Sequence, residues 1–142
     1  MSELIHADDL AYGIEKEYPG IVRGRDYWVA HPVDANRIQC GDAYIVEWRH
    51  PTYMKPKRIL FLQVWKRWKD ESIVVRVSAH LRGMRNVMLR GADAQIALSE
   101  DRGNGEQAKA WRTYRQALRD IPQQSGFPLS VTWPKSPNAT NQ

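Results

Sequence analysis

The sequence has little cysteine and no long hydrophobic run. Its one cysteine, Cys40, excludes an internal disulfide and leaves no thiolate cluster that would bind zinc. The most apolar stretch, residues 59–65, is much shorter than the roughly 20 apolar residues that a membrane-spanning helix needs. The first residues lack the basic start and apolar run of a signal peptide. From these absences we expect an intracellular, soluble protein that folds in a reducing compartment.

Several short motifs that mark enzymes are also missing. A phosphate-binding loop needs a lysine followed by serine or threonine, and the glycine-rich turn at residues 103–105 has neither. There is no Gly-x-Ser-x-Gly nucleophile elbow, and no histidine has a second histidine four residues away to bind a metal. A dyad of Cys40 with His31 or His50 stays open, because catalytic partners meet in space rather than in sequence. We therefore predict a protein that is not an enzyme and has no cofactor or metal.

Aromatic residues and an uneven charge distribution are what the chain does have. Six Trp and six Tyr against two Phe supply rings with a polar handle, which suit either an interface or a small core. Residues 1–53 hold five basic and nine acidic side chains, whereas residues 54–90 hold ten basic and two acidic ones. Such a basic segment attracts nucleic acid or an acidic partner, or it forms the solvated face of helices.

The N-terminal segment, residues 1–53, reads as a small α+β module. Leu10, Ile14 and Tyr18 recur every four residues and predict a short helix over 7–18, which Pro19-Gly20 ends. Aromatic and β-branched residues predict strands over 25–30 and 43–48, which together form a hairpin. Two strands are marginally stable alone, so another element must cover their apolar face.

The middle segment, residues 54–103, is predicted to be basic and helical. We favour a helix over residues 56–69, although residues 59–62 within it are apolar all round and also fit a buried strand. Over residues 71–90 the helical signal is clearer, because apolar side chains step by three or four residues. Those side chains are Ile73, Val77, Leu81, Met84 and Met88. Nucleic-acid binding is an alternative, in which basic side chains contact phosphates while the rings of Phe61, Trp65 and Trp68 stack on bases.

The C-terminal segment, residues 104–142, is predicted to be a capped helix followed by an extended tail. Asn104 suits a helix N-cap, and Gln107 three residues later fits a capping box. A narrow apolar seam then follows at helical spacing, formed by Trp111, Tyr114, Leu118 and Ile121. Pro122 ends the helix, and the prolines at 128, 134 and 137 favour an extended chain.

Residues 111–134 resemble the C-terminal signature of phage tail assembly chaperones, also called tail fibre assembly proteins. In that family a Trp-x-x-Tyr-Arg-Gln-x-Leu-Arg-Asp helix ends in Ile-Pro and leads to a Gly-Phe-Pro…Trp-Pro tail, and this sequence fills every position. Upstream, residues 82–86, Leu89 and Ala92-Asp93 resemble the Arg-rich helix and Ala-Asp turn that often precede the signature. The Tyr18-Pro19 and Trp48 segments resemble the small N-terminal module of some tail-associated phage proteins.

The resemblance implies a chaperone that binds a tail fibre or related tail protein in the host cytoplasm and assists its folding, trimerisation or attachment. A structural component of the fibre tip or baseplate, retained in the virion, is the first alternative. Nucleic-acid binding is the second alternative and ranks behind a protein partner; we expect no membrane partner, and an oligomer stays open. The seam packs either on the partner or on the chain's own upstream helix, and the tail either binds the partner or folds back as a lid. The predicted partner-binding residues are Trp111, Tyr114, Arg115, Leu118, Arg119, Ile121, Pro122, Phe127, Pro128, Trp133 and Pro134.

Overall fold

The computed structural model describes residues 3–138 and confirms the predicted α+β fold class. A short helix and a two-stranded hairpin come first, followed by a long helix, a second helix and a short 3-10 turn. The chain divides into two compact units, one ending at Arg76 and the other beginning at Val77. None of the helices in the described part of the chain combines the length and apolar character that crossing a membrane requires.

Helix α1 spans Ala7–Glu17, within one residue of the predicted range. His6 is its N-cap, because the ring Nδ1 accepts the backbone N–H of Asp8 at 3.2 Å. Asp8 and Asp9 in the first turn place negative charge at the positive end of the helix dipole. The spacing of Leu10 and Ile14 puts both side chains in the core of the first unit.

The hairpin pairs strand β1, Tyr27–Ala30, with strand β2, Tyr44–Trp48, in an antiparallel register. An irregularity between Trp28 and Val29 shifts the register by one residue. Helix α1 and the first part of the long helix cover the apolar face, so Tyr27, Val29 and Ile45 share one core with Trp65. The Tyr27 hydroxyl donates to Ala11 and Glu15, and burial raises the pKa of that hydroxyl.

The long helix, α2, spans Arg58–Asp101, a length of 44 residues. The sequence predicted two helical segments, 56–69 and 71–90, and both are parts of this single helix. The β-branched run at residues 73–75 lowers helix propensity but does not break the backbone hydrogen bonding, and no proline follows until the helix has ended. In the first unit the helix contributes Arg76, whose guanidinium binds both carboxylate oxygens of the buried Asp9 at 2.9 and 3.1 Å.

The second unit is a helical hairpin made from the rest of α2 and helix α3, Gly105–Asp120. Gly103, with a φ of 68°, reverses the chain in the left-handed conformation that favours glycine. Its N–H bonds the Glu100 carbonyl at 2.9 Å, and the Asn104 N–H bonds the Ser99 carbonyl at 2.8 Å, which satisfies the end of α2. The Asn104 side chain then accepts the Gln107 N–H at 3.1 Å and caps α3.

The prediction of an Asn104 cap is confirmed, but the full capping box is not formed. In a capping box the Gln107 side chain returns to the Asn104 N–H. Here that N–H is already bonded to Ser99, and the Gln107 amide instead donates to the Asn138 side chain at 2.9 Å. Asn104 therefore serves two helices with different groups, its backbone ending α2 and its side chain starting α3.

Candidate binding surface

The apolar seam of α3 lies in the core of the second unit. Trp111 packs with Ala92 and Ile96 of α2, and the Tyr114 ring meets the Trp111 ring edge-on at a centroid distance of 5.5 Å. Leu118 and Ile121 are also buried, with exposed fractions of 0% and 1%. Of the two orientations that the sequence left open, the structure shows the Trp111 and Tyr114 part of the seam on the chain's own upstream helix. Trp111, Leu118 and Ile121 therefore present almost no surface to a partner in this conformation.

The basic side chains along α3 differ in how they are paired. Arg115 forms an ion pair with Asp93 of α2 at 2.8 Å, and Arg112 pairs with Glu100 of the same helix. Both pairs tie α3 to α2 across the hairpin. Arg119 is exposed and has no carboxylate within ion-pair distance among residues 3–138. Asp120 accepts a hydrogen bond from Gln116 at 2.9 Å and pairs with neither Arg115 nor Arg119.

After α3, residues 121–123 form a 3-10 turn, as expected for the end of a helix at Pro122. The next segment, residues 124–134, is called the tail loop below. The Gln124 side chain closes this loop by donating to the Thr132 carbonyl at 2.8 Å and accepting the Thr132 N–H at 2.9 Å. Residues 125–130 form turns, and residues 131–136 have no regular secondary structure. The tail loop is therefore held in one shape by its own hydrogen bonds.

The tail loop carries the remaining predicted partner-binding residues. The Phe127 ring lies 5.4 Å from the guanidinium of Arg82 on α2, which agrees with the alternative in which the tail folds back. Pro122, Phe127, Pro128, Trp133 and Pro134 are half-buried. Leu129 is 70% exposed, the largest exposed fraction of an apolar side chain in this loop. Sequence reasoning missed Leu129, although its position between Pro128 and Ser130 in a turn-rich stretch is a signal for exposure.

The first unit shows where the rings considered for nucleic-acid stacking lie. Trp65 is buried, and Phe61 packs against the same core. Trp68 is half-buried, and its indole N–H donates to Glu17 at 2.9 Å. Together with Arg67, that donation lowers the pKa of the Glu17 carboxyl. These rings are engaged inside the first unit, so they offer no open stacking platform.

Two histidines of the first unit, His31 and His50, accept hydrogen bonds from backbone N–H groups. His31 Nδ1 accepts the Ala7 N–H at 3.1 Å, and His50 Nδ1 accepts the Tyr53 N–H at 3.0 Å. Cys40 is exposed, and no hydrogen bond joins it to either imidazole within the described residues. Over residues 3–138 no group of three or more His, Cys, Asp or Glu is arranged to hold a metal ion.

Two family models match the chain, one in each unit. Residues 78–138 match the family described as phage tail assembly chaperone protein, which confirms the resemblance seen in the signature. Residues 10–57 match the family described as XkdW protein. No curated protein and no solved structure matches the chain. The chaperone match supports a role in phage tail assembly, and the matched family is one of assembly chaperones rather than of enzymes.

Proposed function

We propose that this chain binds a tail fibre protein and assists its folding, trimerisation or attachment, because residues 78–138 match the family described as phage tail assembly chaperone protein. The proposal places the protein in the host cytoplasm during assembly, with the fibre protein as its partner. The observation that carries it is the match itself, over the unit in which the helical hairpin holds the tail loop.

The physical need for such a helper follows from the partner. A trimeric fibre rich in β structure forms its contacts between residues distant in sequence, so it folds slowly. During that time it exposes strand edges and apolar surface, which promote aggregation. A small partner that covers such surface raises the yield of folded fibre without any chemical step.

The tail loop is the contact surface that we propose for the fibre protein. Leu129 offers an exposed aliphatic side chain, and the half-buried Phe127 and Trp133 add aromatic area in the same loop. The two Gln124–Thr132 hydrogen bonds hold the loop in shape before binding. Less conformational entropy is therefore lost when a partner docks. Arg119, which has no ion pair within residues 3–138, supplies a charge for an acidic group of the partner.

Nine of the eleven predicted residues then divide into two roles. Trp111, Leu118 and Ile121 are buried, and Trp111 packs on Ala92 and Ile96 of α2, so these three support the surface without touching the partner. Arg115 does the same through its ion pair with Asp93. The contacting residues are Arg119, Phe127, Pro128, Trp133 and Pro134, to which we add Leu129. Tyr114 and Pro122 are half-buried and lie between the two groups.

Co-expression with the tail fibre protein of the same phage tests the proposal. We expect soluble fibre trimer to increase in the presence of this chain and a complex to be recovered on an affinity tag. A truncation after Ile121 and the variant Trp133→Ala are expected to lose the complex. Val87→Ala, at a 60%-exposed position of α2, is the control and is expected to retain it. Fibre solubility that is indifferent to the chain, with no complex recovered, would contradict the proposal.

Two alternatives are decided by separate measurements. A structural component of the fibre tip or baseplate remains in purified particles at fixed stoichiometry, whereas a chaperone is absent from them. A nucleic-acid-binding protein would bind oligonucleotides with an affinity that falls steeply as salt rises. Sedimentation of the purified chain gives its oligomeric state, which the proposal leaves open.

A further inference from the structure

The first unit exposes large aliphatic side chains at the start of α2. Met54, which precedes the helix, is 87% exposed, and Ile59 and Leu60 in its first turn are 66% and 42% exposed. These exposed side chains lie within seven residues of one another in the sequence. Clustered apolar exposure of this kind marks surfaces that contact a partner more often than it marks ordinary solvent-facing positions.

The same side chains line a cleft against the end of α1. The cleft has a volume of about 520 Å³ and is also lined by Tyr18, Lys55, Pro56 and Lys57. Its volume falls within the range of roughly 300–1,000 Å³ of pockets that hold compact ligands. The Tyr18 ring is fixed by edge-on contacts with Trp48 and Tyr53, at centroid distances of 5.5 and 5.2 Å. The Tyr18 wall of the cleft is therefore packed against two neighbouring rings.

The charged residues that line the cleft, Lys55 and Lys57, are both basic. Residues 54–69 contain six basic side chains and no acidic one. Arg67 and Lys69 are neutralised by Glu17 and Glu3. Lys55, Lys57 and Arg58 form no ion pair within residues 3–138, and the Lys55 ammonium only approaches the Ile45 carbonyl at 3.5 Å. The field at the cleft mouth consequently favours an anionic partner.

We propose that this cleft docks an acidic peptide segment that carries a large apolar side chain, with the apolar side chain in the cleft and the carboxylates at Lys55 and Lys57. A protein segment fits better than single-stranded nucleic acid, because the exposed lining is aliphatic and nucleic acid needs open aromatic faces for stacking. The cleft residues belong to the first unit and the tail loop to the second, and of the cleft residues Ile59 and Leu60 lie outside both family matches. That the tail protein supplies the segment rests on the proposed function.

A pair of labelled synthetic peptides tests the chemistry of the cleft on the full chain. One has leucine and phenylalanine between glutamate flanks, and the other replaces each glutamate with lysine. By fluorescence anisotropy we expect the acidic peptide to bind and the basic one to bind at least about tenfold more weakly. Equal binding of both peptides, or binding of neither, overturns the inference. So does a single-stranded oligonucleotide or an anionic lipid vesicle that displaces the acidic peptide from the cleft.

Matched variants locate the binding. Ile59→Ser is expected to weaken binding of the acidic peptide by roughly tenfold, as truncation of a central apolar anchor does. Its control is Ile38→Ser, the same change at a position of the first unit that is 63% exposed, and we expect no effect. Charge reversal of Lys55 and Lys57 together should abolish binding, whereas reversal of the exposed Lys109 and Lys135 should not. If each control weakens binding as much as its partner, the peptide binds elsewhere and the inference fails.

A separate arm distinguishes this inference from the proposed function. The charge-reversed chain is co-expressed with the tail fibre protein, and the recovered complex is compared with that of the unaltered chain. Loss of the complex in the cleft variant alone supports the cleft as the docking site. An undiminished complex overturns its role toward the tail protein and leaves the chaperone function intact. If even the unaltered chain recovers no fibre protein, the proposed function fails, and the peptide assay still decides the cleft.

Discussion

Two leucines in the second unit allow a sharp comparison between burial and binding. Leu118 lies on the inner face of α3 and is 0% exposed, whereas Leu129 in the tail loop is 70% exposed. Leu118→Ala and Leu129→Ala are chemically the same change in the same unit. We expect the first to destabilise the unit and the second to reduce recovery of the fibre protein without affecting stability.

The magnitudes follow from burial. Truncating a buried leucine to alanine costs about 2–5 kcal/mol, because transfer free energy is lost and a cavity remains. Alanine is a good helix former, so no propensity cost adds to this figure. Surface substitutions of the Leu129 kind usually stay within about 0.5 kcal/mol. The described part of the unit has about 60 residues, for which a total stability of about 3–9 kcal/mol is typical. The change at Leu118 therefore removes between about a fifth and all of the total.

Hydrogen exchange of the α3 amides, followed by mass spectrometry, measures the change in the free energy of unfolding of the second unit alone. At about 1.4 kcal/mol for each tenfold change, exchange through unfolding of the unit should quicken by roughly 30-fold to a few thousandfold in Leu118→Ala. In Leu129→Ala it should stay close to that of the unaltered chain. Unchanged protection of α3 in Leu118→Ala, or equal losses in both variants, would refute the description of a buried seam that supports an outward-facing loop.

Three further predictions concern the helices. Gly13→Ala should destabilise the first unit by about 1 kcal/mol despite the better helix propensity of alanine, because the new Cβ would lie 2.7 Å from Val64 Cγ1. In thermal melts, Gly13→Ala should carry no such cost when it is made in a chain that already has Val64→Ala. Gly103→Ala should cost the second unit about 1–2 kcal/mol in urea titrations, since its φ of 68° is strained for a residue with a Cβ. Burial, followed by the nearby charge of Arg76, lowers the pKa of His6 below its usual 6.5. The contribution of neutral His6 to the stability of the first unit is therefore present above pH 6.5 and is lost as the pH falls through the lowered pKa. His6→Asn keeps a cap but does not titrate, so the melting temperature of this variant should depend less on pH between pH 7 and 5.

The elements with local signals were predictable from the sequence. Helix α1 is bounded by Asp8-Asp9 at its start and Pro19-Gly20 after its end, and its apolar spacing is regular. The hairpin follows from β-branched and aromatic runs, and the Asn104 cap follows from residue type and position. In each case the deciding interaction lies within a few residues along the chain, so the sequence contains it directly.

The long helix and the orientation of the seam depend on distant contacts. Different halves of α2 contribute to the cores of the two units, so no single apolar periodicity runs through all 44 residues. The seam of α3 has the same spacing whether it meets a partner or its own chain. Only the position of Ala92 and Ile96 against Trp111 decides between these. The cleft at Met54 and Ile59 is likewise formed by a loop meeting the end of α1, and the sequence showed only the basic charge around it.

The shared residue Asn104 sets a limit on how this chain tolerates insertion. Its backbone N–H and its side chain are committed to two different helices, which leaves no spare residue between Asp101 and Gly105 to absorb added length. One extra residue that extended either helix would turn everything after it by about 100°, the rotation of a single helical step. Trp111 would then face away from Ala92, although no residue of the signature had changed. The turn is a poor place for a tag or a graft, and natural variation in its length would be expected only together with a redesigned seam.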